Sequence, residues 1–341
     1  MRTIIDYLKE NKDVSFEEKE WNTLDFLLVA ILAYAPIEGF SKERKFDELI
    51  EEILKHKPQK TDDLMAPKVV EIAKILKGGK RYEEMVIEDF DDVINDETQF
   101  GAICCLVDGK KVIGFQGTNN SVIGWIENFR LAYRYPTITH KLAVKYLKEH
   151  VKAQDKRVYL VGHSKGGNLA LVAGIEAGVL RRRKIRKIYN FDGPGLLRKQ
   201  YFSRKFGRMR RKIINIIPEQ SVVGTLLYNR GKIVVKSTER GVLAHYPTSW
   251  RLDGEEFLEG RQSEWSRKLH YNTIRGLDKI DEEQVELVFE TIFESLETKR
   301  KRRAGVGPED VLSIVKGVAG MDKRTRKYFL DMLGCVLGRG V

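Results

Sequence analysis

The chemistry-bearing residues of this 341-residue chain converge on one serine. Ser164 stands in Gly162-His163-Ser164-Lys165-Gly166-Gly167, between the apolar run Val158 to Val161 and a helix-like stretch from Leu169 onward. A Gly-x-Ser-x-Gly string joining strand to helix is a nucleophile elbow, a turn sharp enough to strain its middle residue and lift the hydroxyl above a sheet. The glycines two before and two after are needed because a Cβ there would meet neighbouring backbone. The N–H of Lys165 is then free to face an oxyanion. His163 flanks the serine on the wrong side for proton transfer and is a candidate substrate contact.

A serine hydroxyl is a weak nucleophile at neutral pH and needs a base. On a strand-turn-helix elbow the relay follows in the order serine, acid, histidine. Of six histidines only His245 and His270 come after Ser164. His245 lies in a loop soon after an expected strand and is taken as the base; His270 falls in an expected helix among Trp265, Leu269 and Tyr271. The acid, which must hold the imidazole tautomer, is Asp192 or Glu219. Asp192 opens Asp192-Gly193-Pro194-Gly195 just off the strand after the elbow helix. Glu219 follows the next strand, the commoner place for this acid. The tight turn favours Asp192 narrowly, although an Asx turn bonding its own backbone would explain it too.

A second oxyanion donor should come from a loop upstream of the elbow. Gly117 and Thr118 suit that loop: glycine lets backbone approach a substrate, and Thr118 offers an N–H and a hydroxyl. Next come Val122, Trp125, Ile126 and Phe129 at helical spacing. That stripe reads first as core, with Trp125 as a candidate wall for an acyl group. The relay needs no metal and no organic cofactor.

These residues need a scaffold. Residues 1 to about 80 read as helices, with Asn22-Thr23-Leu24-Asp25 before the run Phe26 to Ala35, and Ala66-Pro67-Lys68 before a second pattern ended by Gly78-Gly79. Ala102 to Val107 and Lys111 to Phe115 read as a hairpin turned at Asp108-Gly109. Strands are expected over 187–191, 213–217 and 232–236 as well as at the elbow, with helices between. That alternation argues a mostly parallel sheet, with function at its carboxyl edge. Asp281-x-x-Gln284 resembles a capping box before a further helix. The division expected is a helical cover over 1–80, an α/β core over 81–260 and a basic helical extension over 261–341.

Composition sets the remaining bounds. The chain carries a formal net charge of +12, with basic clusters at 181–187, 204–212 and 299–303. Solvated helix ends and loops are the first reading of these clusters. Peripheral attraction to an anionic membrane is the second, and nucleic-acid binding is disfavoured because no aromatic-interleaved platform accompanies them. The first ten residues lack a secretory apolar run, and the longest apolar run is too short to span a bilayer. Three cysteines form neither a disulfide framework nor a metal spacing, which points to a reducing, cytoplasmic setting.

Gly114-Phe115-Gln116-Gly117-Thr118 through Trp125, with Gly162 to Gly167, resembles the class 3 lipase branch of α/β-hydrolases. The longer string Gly162 to Ala170, with Asp192 to Gly195 and Ser221-Val222-Val223-Gly224, is more closely similar to a bacterial family of uncharacterised lipase-like hydrolases. The resemblance spans roughly residues 20 to 260. It implies an α/β-hydrolase fold and serine ester hydrolysis of an ester or lipid substrate, with Ser164 as nucleophile and Thr118 and Lys165 lining the oxyanion hole. Two positions depart. Class 3 lipases carry Arg where this chain has Gln116, and they place the acid in a segment that aligns near Ser221, which leaves Asp192 and Glu219 both open. A competing expectation is a fold retained for binding lipid or a partner, with little or no catalysis.

Overall fold

The computed structural model describes residues 1–57, 65–119, 121–279, 281–295 and 317–336. The basic run 299–303 lies outside the described residues. Helices α1 (Ile4–Asn11) and α2 (Thr23–Leu32) precede the two-residue strand β1 (Arg44–Lys45), then α3 (Phe46–Lys55) and α4 (Ala66–Leu76). The core follows as β2 (Val86–Ile94), β3 (Gln99–Val107), β4 (Lys110–Phe115), α5 (Val122–Arg130), α6 (Ile138–His150), β5 (Val158–His163), α7 (Lys165–Glu176), α8 (Gly178–Lys184) and β6 (Ile185–Phe191). Then come α9 (Arg198–Tyr201), α10 (Arg204–Met209), β7 (Ile213–Pro218), β8 (Lys232–Val235) and the small pair β9 (Leu252–Asp253) and β10 (Glu256–Phe257). Helices α11 (Glu264–Lys279), α12 (Glu282–Ser295) and α13 (Lys323–Val336) close the described chain.

Strands β1 to β8 form one sheet in sequence order, antiparallel from β1 to β4 and parallel from β4 to β8. This is the α/β-hydrolase arrangement, with helices on both faces of a mostly parallel sheet. Strand β5 sits in the middle, with Phe115 paired to Gly162 and His163 to Phe191. Its apolar run has no alternation because both faces are covered. One face packs on α2, whose residues Leu24 to Leu32 are all buried; α6 and α7 cover the other. Strand β2 is not anticipated from the sequence. Glu88, Asp89, Asp91 and Asp92 break its alternation, since much of its length is only half-buried.

The helical cover is bolted to the core by a buried ion pair. Asp25 accepts from Arg81 Nε at 2.9 Å and Nη2 at 2.8 Å and from Tyr82 Oη at 2.7 Å, with both charged side chains fully buried. The C-terminal helices are integrated too. Helix α12 packs on α5 through Val288, Ile292 and Phe293, and Glu290 accepts from Arg130 Nε at 3.1 Å and Tyr133 Oη at 2.9 Å. No helix among the described residues is long and apolar enough to cross a membrane.

Candidate active site

Ser164 lies at the end of β5 and caps α7, with φ 57° and ψ −133°. That conformation is strained for a residue with a side chain and persists only where the surroundings enforce it. The enforcement is steric. A Cβ on Gly162 would lie 2.1 Å from the Gly166 carbonyl oxygen, and one on Gly166 would lie 2.0 Å from that of Phe115. The strand, the turn and the helix are therefore in backbone contact. Ser164 N donates to Phe191 O at 3.1 Å, tying the bend to the end of β6. The first amides of α7 have no intrahelical acceptor, and the helix dipole favours negative charge there.

Asp192 immediately follows β6, fully buried, also with a positive φ of 49°. Its Oδ2 lies 2.7 Å from His245 Nδ1; its Oδ1 accepts from Ser221 Oγ at 2.5 Å and Gly224 N at 3.1 Å. Paired with the carboxylate, Nδ1 carries the proton and Nε2 is left as the basic nitrogen. His245 ends a 3-10 helix, Gly241–His245, anchored where Trp250 Nε1 donates to Ala244 O at 2.9 Å. Glu219 is elsewhere: its carboxylate accepts from Arg261 N at 3.4 Å and packs on Gly260. Of the two candidate acids, only Asp192 meets the imidazole. Ser221 holds the second oxygen of Asp192. His270 lies on α11 with Nδ1 2.6 Å from Thr225 O.

His163, the candidate substrate contact, is turned into the protein. It is buried, with Nδ1 3.0 Å from Tyr34 Oη and Nε2 2.9 Å from His245 O, so both ring nitrogens are used within the protein. Burial and the neighbouring His245 hold its pKa well below the usual value, keeping it neutral. Its part is to support the backbone of His245, and the two rings lie 4.5 Å apart. Among the described residues no group hydrogen-bonds Ser164 Oγ. His245 is thus paired with Asp192, and no hydrogen bond joins it to Ser164.

The upstream loop is held by a network that the sequence reading missed. Gln99, at the start of β3, donates through Nε2 to Gln116 Oε1 at 2.8 Å and to Gly117 O at 3.2 Å. Its carbonyl oxygen and Oε1 accept from Lys165 Nζ at 2.8 and 2.7 Å. Glu127 Oε2 lies 3.5 Å from the same ammonium, and the Glu127 carboxylate accepts from Thr98 Oγ1 at 3.0 Å and Gln99 N at 3.1 Å. Lys165 is fully buried, and burial lowers its pKa against the opposing pull of Glu127. The Lys165 side chain thus anchors the loop whose backbone stands opposite its own amide. Gly117 is demanded by packing, since a Cβ would fall 1.9 Å from Tyr34 Oη. Thr118 Oγ1 is buried without a hydrogen-bond partner among the described residues. A buried hydroxyl left so costs stability, and functional sites are where such costs are tolerated.

Helix α5 splits its apolar stripe. Val122, Ile123 and Ile126 pack against α12 and α13, whereas Trp125 and Phe129 are 45% and 42% exposed. The core reading holds for those two only in part: both line a cavity of about 340 Å³ that also touches His245, Val223, Leu226 and Val242, while Phe129 stacks on Phe289 of α12 with ring centroids 5.1 Å apart. Helix α11 contributes Thr273 to the same wall.

No curated protein matches the chain. Among solved structures, a crystal structure of M37 lipase matches with 15% identity and a TM-score of 0.40, over 60% of this chain and 69% of that one. The Mbeg1-like family matches residues 76–294, from the end of α4 through β2–β10 to α12 and including Thr118, Ser164, Asp192 and His245; the chain belongs to that family.

Proposed function

We propose that the protein is a serine acyl hydrolase that cleaves carboxylic esters, lipid esters among them, through an acyl-enzyme. The observation that carries this reading is the 2.7 Å pairing of His245 with buried Asp192 beside a serine held at positive φ. His245 Nε2 takes the Ser164 proton as Oγ adds to the ester carbonyl, with Asp192 stabilising the imidazolium. The carbonyl oxygen becomes an oxyanion held by the Lys165 amide and by Thr118, whose amide and unpartnered hydroxyl are both donors. The imidazolium returns its proton to the departing alkoxide, leaving Ser164 acylated. Water, deprotonated by the same imidazole, releases the acid and restores the serine. An apolar acyl group fits the cavity beside Trp125 and Phe129.

The test is labelling with a fluorophosphonate together with turnover of short-chain aryl esters. Labelling of the wild type that disappears in Ser164→Ala is expected. An unlabelled wild type, or equal labelling of the variant, overturns the reading. The open Ser164–His245 contact motivates a second reading, an inactive fold that binds lipid esters. Vesicle binding without turnover is its signature.

A further inference from the structure

We infer a second ligand site, for a phosphorylated small molecule with an apolar or flat body, at the opposite edge of the sheet from Ser164. Six of the nine residues from Arg204 to Lys212 are basic. They run into the amino end of β7, and Arg230-Gly231 runs into the amino end of the parallel neighbour β8. Ser164, in contrast, sits at the carboxyl end of β5. Between these basic segments lies a cavity of about 590 Å³, lined by Arg210, Arg211 and Arg230. That is the size of a small-molecule site.

Nearby cations are mostly satisfied by the protein. Lys205 pairs with Glu176 Oε2 at 2.5 Å, Lys212 donates to Arg182 O at 2.8 Å and Ile185 O at 2.5 Å, and Arg198 lies 3.5 Å from Asp278. The three cavity guanidinium groups differ: none has a carboxylate partner among the described residues, and no carboxylate lines the cavity. The three arginines are exposed and line one cavity, so an anion entering it meets several positive charges and no negative one. Arg is suited to phosphate because its planar fork binds two oxygens at once.

The other walls supply the apolar part. Tyr201, Phe206 and Tyr228 line the cavity, with Tyr201 4.6 Å from Phe206 and 5.6 Å from Tyr228 between ring centroids. The frame is fixed in advance. Buried Asn215 donates to Arg230 O at 2.6 Å, and Leu196 and Tyr228 exchange backbone hydrogen bonds at 3.0 and 2.9 Å. The chain from Leu226 to Arg230 separates the two sites: Leu226 and Leu227 line the cavity at His245, whereas Tyr228 to Arg230 line this one.

Calorimetric titration of the full chain with phenyl phosphate, inorganic phosphate, and vesicles with or without phosphatidic acid tests the site. Phenyl phosphate should bind saturably, at least about tenfold tighter than inorganic phosphate. R210Q/R230Q should weaken it at least about tenfold with an unchanged unfolding midpoint, and Ser164→Ala should bind as the wild type does. If phosphatidic-acid vesicles bind as well and lose binding in the same double variant, the phosphate comes from a lipid headgroup; if phenyl phosphate alone binds, it comes from a soluble ester. Absence of saturable phenyl phosphate binding, unchanged binding in the double variant, or capture by vesicles alone overturns the proposal.

Discussion

At Ser164 stability and chemistry pull apart. A non-glycine residue in this backbone region costs on the order of 1–3 kcal/mol. Glycine carries no Cβ penalty there, so Ser164→Gly should unfold at a higher denaturant concentration than Ser164→Ala, by about 1 kcal/mol, while both lose ester turnover. Equal stabilities would mean that the bend stores no strain. Thr118 gives a second test at this scale. Thr118→Val removes the unpartnered hydroxyl without changing shape much and should lower kcat by up to about a hundredfold with little change in KM, the signature of a donor engaged only in the transition state. A rise in KM alone would place Thr118 in ground-state binding. Asp192→Asn should be more severe, because the amide can present an N–H to Nδ1 and so favour the wrong imidazole tautomer. Ser164, His245 and Thr118 could be singled out from residue type and chain order. Choosing between Asp192 and Glu219 could not: both follow a strand, and only the fold shows which carboxylate points at the imidazole.

At the level of elements, two buried ion pairs join segments distant in sequence. Lys165→Met strands the Glu127 carboxylate in the interior and should cost about 3–5 kcal/mol, measured by denaturant unfolding. The double variant K165M/E127Q should recover much of that stability but not turnover, since the loop carrying Gly117 and Thr118 loses the ammonium that holds Gln99. Recovery of both would show that the network is structural only. Arg81→Met should likewise cost about 3–5 kcal/mol by leaving Asp25 without its guanidinium. These contacts were hidden in the sequence for a definite reason. Lys165 sits in a motif where its backbone draws attention, and a lysine elsewhere is most often solvated. Gln99 and Glu127 carry no local pattern, and 66 residues separate the first from Lys165. The aromatic stripe on α5 misled for a related reason: helical spacing identifies an apolar face but not what covers it. Here α12 and α13 cover part of that face; Trp125 is left to the cavity, and Phe129 both lines it and stacks on Phe289 of α12.

For the whole molecule, buried neutral histidines set an acid limit. His140 accepts from Thr137 N at 3.1 Å through Nδ1, and its Nε2 pairs with Asn168 Oδ1 at 2.7 Å, linking α6 to the elbow helix. Burial lowers its pKa to about 4. The unfolded chain therefore takes up a proton near pH 6.5 that the folded protein refuses until about pH 4. Stability is full above pH 6.5, falls as pH drops from there towards 4, and levels below. The loss is about 3 kcal/mol in all. His140→Gln should flatten this part of the stability profile, and an unchanged slope would assign the acid sensitivity to other groups. By itself the sequence determined the order of the strands from β3 to β8, the elbow, the hairpin turn and the basic excess, because each is written in short-range spacing, glycine placement or charge counts. The tertiary structure alone decided which acid meets His245, that both ring nitrogens of His163 are taken up within the protein, and how Lys165 reaches across to the opposite loop. These depend on which side chains the sheet brings together over tens of residues, and local propensity does not encode such distances.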